Sequence, residues 1–300
     1  MSNTRNILVI GATGQVGSEV VRLLSGADAI HTLAAVRRDD QKQKMEALGA
    51  VPVHLDLDDV QTIERAVSGV NGLVLMTGYT VDMLKQSKRV IDAAKRAGVD
   101  HIVHIGASGS DTAEVAHWGW HRMIETYIEA SGIRYTHLQP EAYMQNLTGF
   151  GWLSQGALVN LIGNTRWSWV DAKDVAAMAA AALRNPGAHA GRTWRLGYDA
   201  ATMADVAAKL SEVSGDEIVL APLDPQVIYE GAVGAGADPA YMACIRDQFR
   251  LNAAGAIPNA DQTFDAAAFE QATGRQPTTW AAFIEREAST LTTLATQSVA

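Results

Sequence analysis

The sequence has one cysteine, Cys244, among 300 residues, which excludes an internal disulfide framework and a cysteine-based zinc knuckle. It has no run rich in lysine and arginine, and its formal net charge is -9, which argues against a dedicated nucleic-acid-binding protein. No apolar stretch reaches the roughly 18 residues of a membrane span, and the first residues lack a signal-peptide pattern. We therefore expect a cytoplasmic protein that binds neither nucleic acid nor membrane.

The hydrophobic content is high enough for a full core, at 48% of residues against 19% charged. A chain of this length fits one large domain, or one domain with a smaller lobe. Aromatic residues make up 6%, yet tryptophan, with 7 residues, is as frequent as tyrosine. Five tryptophans fall close together in the middle of the chain: Trp118, Trp120, Trp152, Trp167 and Trp169.

Short apolar runs alternate with segments of helical period in the first half of the chain. The runs are 6–10, 32–36, 51–55, 72–76, 101–105 and 134–138, and the helical segments lie near 14–25, 40–48, 59–67, 81–97 and 115–131. Continuous apolar runs separated by helices are typical of parallel strands buried on both faces. The pattern predicts an α/β fold with a doubly wound parallel sheet, in which Gly98 and Gly132 end two of the helices.

The second half is less regular. We expect residues 1–155 to form the doubly wound domain, residues 165–200 to return to its main sheet, and residues 200–300 to form a smaller, mostly helical lobe. Asp171 precedes the apolar run 175–183 and is predicted to cap that helix. Further helices are predicted at 202–213, 224–233, 238–251 and 278–291.

A glycine-rich loop joins the first predicted strand to the first helix. It reads Gly11-Ala-Thr13-Gly14-Gln15-Val16-Gly17. Gly11 permits a tight turn, Gly14 lets the backbone approach a pyrophosphate, and Gly17 lets the helix pack close to the sheet. The helix N-terminus supplies N–H groups and partial positive charge to phosphates. These residues, from Gly11 to Gly17, predict a dinucleotide site.

The second predicted strand ends in Arg37-Arg38, where a chain using NAD usually places an acidic residue. Two guanidinium groups suit a 2′-phosphate, so this position favours NADP(H). Asp39 and Asp40 follow and are able to neutralise one of the arginines.

The ends of the next strands complete the predicted cofactor site, because ligands bind at the carboxyl ends of strands in open α/β sheets. These residues are Asp56 and Leu57, then Met76, Thr77 and Gly78, then Gly106 and Ala107.

The chain resembles the NmrA-like branch of the atypical short-chain dehydrogenases. The marks are the glycine loop, Val36-Arg37, Glu125, Ser131-Gly132, Tyr135-Thr-His-Leu138-Gln-Pro140, Tyr143-Met-Gln-Asn146, Val170-Asp171, Asp174-Val175-Ala176, Pro239-Ala-Tyr241 and Gly274-Arg-Gln-Pro277. The resemblance implies a Rossmann domain with a small C-terminal substrate lobe. It also implies either an NADPH-dependent reductase of quinones, triphenylmethane dyes, phenylpropanoids or ergot alkaloids, or a regulator that binds the dinucleotide without turning it over.

The sequence departs from this family at two places. Classical relatives hold a Tyr-x-x-x-Lys pair on the helix after the fifth strand, where this chain has His117 and His121. The family's Leu-Arg-Pro is Leu138-Gln139-Pro140 here, so one positive charge is lost. The tyrosyl proton-donor mechanism therefore does not transfer to this chain.

His117 and His121 are four residues apart and share a helix face. Three interpretations stay open. His121 can take the place of the lysine near the nicotinamide ribose, with His117 toward the substrate as proton donor or orienter. The pair, extended by Glu125, can bind a metal, although the spacing fits no zinc-protease pattern and we predict no metal. Both can also be pocket or interface residues.

Other candidates follow the fifth and sixth strands. Ser108 and Ser110 follow the fifth, and Ser108 is predicted to bind a substrate oxygen. Pro140 and Tyr143 are placed beside the cofactor, and the Tyr143 hydroxyl is a candidate proton donor. His101 and His104 are interpreted as structural residues. The predicted substrate wall consists of Ser108, His117, Trp118, Met144, Trp152 and Trp169, with core packing of the tryptophans as the alternative.

The function predicted from these features is hydride transfer from NADPH to a hydrophobic, aromatic small molecule such as an imine, a quinone or a conjugated acceptor. Such acceptors leave no localised oxyanion when they are reduced, which suits the missing Tyr/Lys pair. The alternative is a non-catalytic NADP(H) sensor. The protein is expected to be a monomer or a homodimer.

Overall fold

The computed structural model describes residues 4–109 and 114–296, so Ser110 lies outside the described residues. The strands are β1 (Arg5–Val9), β2 (Ile30–Val36), β3 (Val51–His54), β4 (Gly72–Leu75), β5 (His101–Ile105), β6 (Arg134–Pro140), β7 (Ala142–Tyr143), β8 (Leu153–Ser154), β9 (Ala157–Asn160), β10 (Trp167–Val170), β11 (Arg192–Leu196), β12 (Asp199–Ala201) and β13 (Val219–Pro222). The helices are α1 (Gln15–Ser25), α2 (Lys42–Ala47), α3 (Val60–Val67), α4 (Met83–Ala97), α5 (Ala116–Ser131), α6 (Asn146–Gly149), α7 (Ala172–Arg184), α8 (Pro186–His189), α9 (Met203–Ser214), α10 (Pro225–Gly234), α11 (Pro239–Ala253), α12 (Ala266–Thr273) and α13 (Trp280–Thr296).

The chain divides into two units that interleave along the sequence. The first contains residues up to 107, 118–139 and 173–195, and the second contains 108–117, 140–172 and the chain from 196 onward. The predicted boundaries near 155 and 200 therefore differ from those of the structure. The difference arises because α7 and β11 belong to the first unit, whereas β10 belongs to the second.

The first unit is built on a seven-stranded sheet with the order β11-β6-β5-β4-β1-β2-β3. The pairs β1–β2, β2–β3, β1–β4, β4–β5 and β5–β6 are parallel. This strand order, with helices in the connections, is the doubly wound α/β fold that the alternating pattern predicts.

Burial explains why the strands read as continuous apolar runs. Every residue of β4 and β5 is buried, as expected for strands covered on both faces. Gly98 follows α4 with a φ of 73°, and Gly132 follows α5 with a φ of 80°. Both adopt the left-handed conformation that glycine favours at a helix end, which confirms the two predicted stops.

His101, the first residue of β5, is fully buried and neutral. Its Nε2 lies 3.0 Å from the Thr136 hydroxyl oxygen, and that hydroxyl donates to the carbonyl oxygen of His189. Because the hydroxyl proton is used there, His101 Nε2 donates to Thr136. Burial, with smaller effects of Arg134 and Arg5, lowers the pKa of His101 to about 4. The imidazole is thus a structural donor, as the sequence predicts.

Because of His101, the free energy of unfolding is expected to fall when the pH is lowered. The pKa of His101 is about 4 in the folded chain, below the roughly 6.5 expected in the unfolded chain. The contribution of the neutral imidazole to the free energy of unfolding is therefore complete above pH 6.5 and is lost as the pH falls toward 4. Between pH 7 and pH 4.5, we expect wild type to lose about 2 kcal/mol more unfolding free energy than His101→Asn. Urea unfolding at both pH values measures this difference, with His54→Asn, at an exposed position, as control. Equal pH dependence in wild type and His101→Asn would contradict the assignment.

The second unit contains two three-stranded sheets, with the orders β12-β10-β7 and β13-β9-β8, beside helices α9 to α13. In the first of these, β10 pairs antiparallel with β12 and parallel with β7. Of the stretch 165–200, for which the sequence predicts a return to the main sheet, β11 joins that sheet and β10 does not. The second unit therefore contains both sheets and helices, with more strands than the mostly helical lobe that the sequence predicts.

The tryptophans of the second unit form an aromatic core. The Trp169 ring is fully buried, with ring centroids 5.4 Å from Trp167, 5.2 Å from Trp280 and 6.4 Å from Trp152. Its indole Nε1 donates to the carbonyl oxygen of Ala201. Tilted and edge-on contacts at these distances add to the burial of large apolar surfaces. These contacts support the packing alternative for Trp152, Trp167 and Trp169, while the role of Trp152 and Trp169 in substrate binding stays a prediction.

Asp171 lies directly before α7, at the predicted cap position, and is fully buried. Its carboxylate accepts hydrogen bonds from Gln145 Nε2 at 2.6 Å and from Arg286 Nη1 at 2.5 Å. The charge is thus compensated inside the second unit, as a buried carboxylate requires.

Within residues 4–109 and 114–296, no helix has both the length and the apolar character to cross a membrane.

Candidate dinucleotide site

The glycine loop connects β1 to α1 in the first unit. Gly11 has a φ of 77°, a conformation that favours glycine. The Gly14 N–H donates to the Gly11 carbonyl oxygen at 3.1 Å, which closes a tight turn before the helix. The turn thus has the form that the sequence predicts.

Gly17 lies where the first turn of α1 meets this loop. A Cβ at Gly17 would come within 2.1 Å of the Gly11 carbonyl oxygen and 2.9 Å of the Ala12 Cα. Since both contacts are with backbone, no side-chain rotation relieves them. At Gly14 the same substitution gives 3.5 Å to the Gly11 oxygen, an ordinary contact. Gly17 is therefore required by the fold, whereas Gly14 leaves room beside the loop.

The N-terminus of α1 is suited to an anion. Gly14, the N-cap, provides no side-chain cap, and the first turn has no acidic residue. The first N–H groups of a helix have no acceptor within the helix, and they carry partial positive charge. The loop and the first turn therefore fit the pyrophosphate of a dinucleotide.

Arg37 and Arg38 follow β2, the strand next to β1 in the sheet. Arg38 is engaged by Asp40 in a forked ion pair, with Nε and Nη2 at 3.0 and 3.1 Å from the two carboxylate oxygens. The exposed Arg37 has no ion pair with any described residue. The two arginines are thus not equivalent, and Arg37 is the guanidinium available to a 2′-phosphate.

The backbone of this turn is fixed by Gln41. Its side-chain Oε1 accepts from the N–H groups of both Arg37 and Arg38, each at 3.1 Å. Asp39 pairs with Lys42 at 2.7 Å, which uses its charge locally. Sequence reasoning missed Gln41, although a glutamine a few residues after a strand end is a usable signal for a side chain that caps a turn.

The remaining predicted cofactor residues of this unit lie after β3, β4 and β5. Asp56 and Leu57 are half-buried, and the Asp56 carboxylate accepts from the N–H of Asp58. Met76 contacts the glycine loop, since a Cβ on Gly11 would lie 2.7 Å from the Met76 Cε. Thr77 and Gly78 continue along the same strand end. Because these strands are parallel, their carboxyl ends meet at one edge of the sheet.

His121 lies beside Gly106 at the end of β5. A Cβ on Gly106 would lie 3.4 Å from the His121 Nδ1. Burial lowers the pKa of His121 to about 4, so the imidazole is neutral at neutral pH. It is placed next to the predicted cofactor residues Gly106 and Ala107, but it does not carry the fixed positive charge of the lysine that the family places on this helix.

Other predicted residues belong to the second unit. Ser108 is buried, and its N–H donates to the carbonyl oxygen of Pro140 at 2.8 Å. His117 is buried with its ring 5.5 Å from that of Tyr241, and Met144 is fully buried in the aromatic core. Tyr143 is half-buried. In the first unit, Trp118 is also half-buried. The substrate and catalytic roles of these residues stay predictions.

A model of the NmrA-like family matches residues 3–284. A curated relative, the NAD(P)H azoreductase of Xenophilus azovorans, is 31% identical over 251 residues, which cover 82% of this chain and 86% of the relative. The solved structure of NADPH-dependent quinone oxidoreductase from Escherichia coli, complexed with NADPH, is 26% identical, with a TM-score of 0.77 over 93% of this chain and 99% of that one. Triphenylmethane reductase of Citrobacter sp., complexed with NADP(H), is 25% identical, with a TM-score of 0.77 over the same shares of the two chains.

The family match spans most of the sequence, and it agrees with the strand order and the glycine loop. The sequence marks of the resemblance fall within the matched range. The chain therefore belongs to the NmrA-like family.

Proposed function

We propose that this protein reduces hydrophobic aromatic acceptors with NADPH, and that its preferred acceptors are those that leave no localised alkoxide after hydride transfer. Quinones, iminium ions and other carbon cations are of this kind. The observation that carries the proposal is the pairing of an uncapped α1 N-terminus with Arg37, which has no ion-pair partner among the described residues, at the end of the adjacent strand. Together they match the pyrophosphate and the 2′-phosphate of NADPH.

The protein is an NADP-dependent oxidoreductase of the NmrA-like family. The azoreductase and the quinone oxidoreductase use NAD(P)H or NADPH by name, and the triphenylmethane reductase was solved with NADP(H). The names of these relatives give azo, quinone and triphenylmethane compounds as acceptors. Reduction of a conjugated organic acceptor is the activity that these names have in common.

Bound NADPH supplies the hydride, so the protein has to bind and orient it and to favour the charge that remains on the acceptor. The α1 N–H groups would hold the pyrophosphate, and Arg37 would hold the 2′-phosphate. His121 is neutral and therefore orients by hydrogen bonding, not by a fixed charge. A neutral imidazole is also a poor general acid, because the proton it would deliver is absent at neutral pH.

The choice of acceptors follows from the neutral state of His121, which stands where the family has a lysine. Hydride addition to a triarylmethyl cation gives a neutral C–H product, and no proton is needed. Addition to a quinone gives a phenolate whose charge is spread over the ring. Addition to an aliphatic ketone leaves a localised alkoxide, which requires a proton donor or an oxyanion site. We expect the first two reactions to be favoured.

A panel of acceptors tests the proposal. NADPH oxidation is followed with a naphthoquinone, a triarylmethyl dye, an N-alkylated aryl iminium salt and an aliphatic ketone at equal concentration. We expect kcat/KM for the best aromatic acceptor to exceed that for the ketone at least about 100-fold, the usual size of a general-acid contribution. A ketone that reacts as fast as the aromatic acceptors would contradict the proposal. Tight NADPH binding without turnover of any acceptor would favour the NADP(H) sensor.

The double variant His117→Ala, His121→Ala tests the role of the histidine pair. We expect the ratio of kcat/KM for the quinone to that for the triarylmethyl dye to stay within about threefold of the wild-type ratio, because neither acceptor needs a proton from the pair during hydride transfer. The ratio is informative even if cofactor orientation is impaired, since both acceptors use the same NADPH. A fall of about 100-fold for the quinone alone would instead identify the pair as the proton donor.

A further inference from the structure

Two histidines and a glutamate of the first unit meet on one face of the main sheet. His104 on β5 is the register partner of His137 on β6, so the two side chains leave the sheet on the same face. Glu125 on α5 completes the group. One ligand atom from each of the three residues lies within 4.8 Å of the other two.

The group is buried, with 2%, 1% and 0% of His104, Glu125 and His137 exposed. His104 Nδ1 and both ring nitrogens of His137 have no hydrogen-bond partner among the described residues. The Glu129 carboxylate comes within 3.4 Å of His137 Nε2 but does not form a hydrogen bond with it. Buried polar atoms are nearly always satisfied in proteins, so unpaired nitrogens next to a carboxylate indicate a missing partner.

Charge indicates what that partner is. The Glu125 carboxylate accepts from Gln139 Nε2 at 2.9 and 3.1 Å and from Arg122 Nη1 at 3.2 Å. Gln139 is neutral where the family pattern has arginine, and the Arg122 side chain is 59% exposed. A fully buried carboxylate is thus held by one amide and one largely solvated cation. A cation in the interior would compensate it better.

We propose that His104, Glu125 and His137 form a binding site for one divalent transition-metal ion, of which Zn²⁺ is the best fit. Both imidazoles are buried, and His104 Nδ1 and the two ring nitrogens of His137 have no hydrogen-bond partner among the described residues, so they are placed to bind a metal through a ring nitrogen. Imidazole nitrogen with carboxylate oxygen is a donor set that zinc accepts, whereas Mg²⁺ and Ca²⁺ prefer oxygen alone. The sequence suggests His117, His121 and Glu125 as a metal alternative, and of these Glu125 belongs to this group.

The surroundings support the same assignment. Gln139 and Arg122 fix the carboxylate in the way that outer hydrogen bonds orient metal ligands. The Tyr135 ring stacks on His137 with the ring centroids 4.5 Å apart, which holds the imidazole plane. The ion would join β5, β6 and α5, the helix that carries His121. Because the three ligands come together only in the folded chain, the metal would bind the folded chain preferentially and stabilise it by mass action.

Titration with Co²⁺ tests the proposal on the whole protein after dialysis against a chelator. Tetrahedral Co²⁺ bound to nitrogen and oxygen gives visible absorption bands, and Zn²⁺ displaces it. We expect bands that saturate near one equivalent of Co²⁺, disappear when Zn²⁺ is added, and accompany a rise in Tm. Absence of saturable Co²⁺ and Zn²⁺ binding in wild type would overturn the proposal.

Variants locate the site. His137→Gln and Glu125→Gln should each weaken Co²⁺ binding about 100-fold and abolish the metal-induced rise in Tm. His101→Gln is the matched control, because it removes a buried histidine of the same strand, three residues before His104, that contacts the Thr136 hydroxyl. Its Co²⁺ affinity should stay within about threefold of wild type. If His137→Gln fails to fold, the location of the metal site is tested with Glu125→Gln, because this substitution preserves the shape of the side chain. Wild-type affinity in the folded Glu125→Gln variant would overturn the assignment.

Discussion

Replacing Arg37 by alanine is expected to weaken NADPH binding about 30- to 100-fold and to leave NADH binding within about twofold of wild type. Charge-assisted hydrogen bonds to phosphate contribute about 2 to 3 kcal/mol, and NADH lacks the 2′-phosphate that Arg37 would hold. Dissociation constants of both dinucleotides, measured by calorimetry at one fixed salt concentration, give the change in preference.

The neighbouring arginine provides the control. Arg38 is already paired with Asp40, so the double variant Arg38→Ala, Asp40→Ala removes an ion pair without changing the net charge. We expect its NADPH affinity to fall less than about fivefold, because exposed ion pairs contribute little. An equal loss of NADPH affinity in both variants, or an equal loss of NADH affinity in Arg37→Ala, would show that Arg37 does not recognise the 2′-phosphate.

Substitution of Gly17 by alanine is expected to lower the free energy of unfolding by about 3 kcal/mol and to weaken NADPH binding at least about 100-fold. The new Cβ would lie 2.1 Å from the Gly11 carbonyl oxygen, so α1 has to move away from the loop. Overpacking against backbone costs about 1 to 3 kcal/mol or more, and the displaced helix N-terminus no longer faces the phosphates. Urea unfolding and NADPH titration measure the two effects separately.

Two glycines of the same segment test whether this effect is specific. Gly26 ends α1 with a φ of -90°, and a Cβ added to it would have no described atom within 4 Å, so Gly26→Ala should change stability by less than about 1 kcal/mol. Gly14→Ala should keep the fold and weaken NADPH binding, because its Cβ enters the space beside the pyrophosphate. Normal stability and normal NADPH binding in Gly17→Ala would contradict the close-approach explanation.

Local patterns are sufficient for most of the first unit. The predicted strand at 101–105 has the bounds that the structure gives to β5, and the predicted helix 81–97 begins two residues before α4. Such agreement is expected where burial on both faces imposes a continuous apolar run. The glycine loop is equally predictable, because its conformation depends on residues within one turn of each other.

The second unit is less predictable from local patterns. Strand β10 is buried throughout, and its sequence does not indicate which sheet it joins. Its partners, β12 and β7, are short strands that lie elsewhere in the sequence. The sequence pattern does not predict helix α12, because this helix is only eight residues long and alanine-rich, with little apolar periodicity. Pairing of short strands is determined by contacts that a local window does not contain.

By itself, the sequence determined the doubly wound first unit, the glycine loop and the pair of arginines after β2, because each depends on residues that are neighbours along the chain. Only the tertiary structure decided that Asp40 engages Arg38 and not Arg37, that four tryptophans pack into a core, and that His104 and His137 meet Glu125. Ion pairs, core packing and ligand clusters depend on strand register and helix placement, which bring together side chains far apart in the sequence.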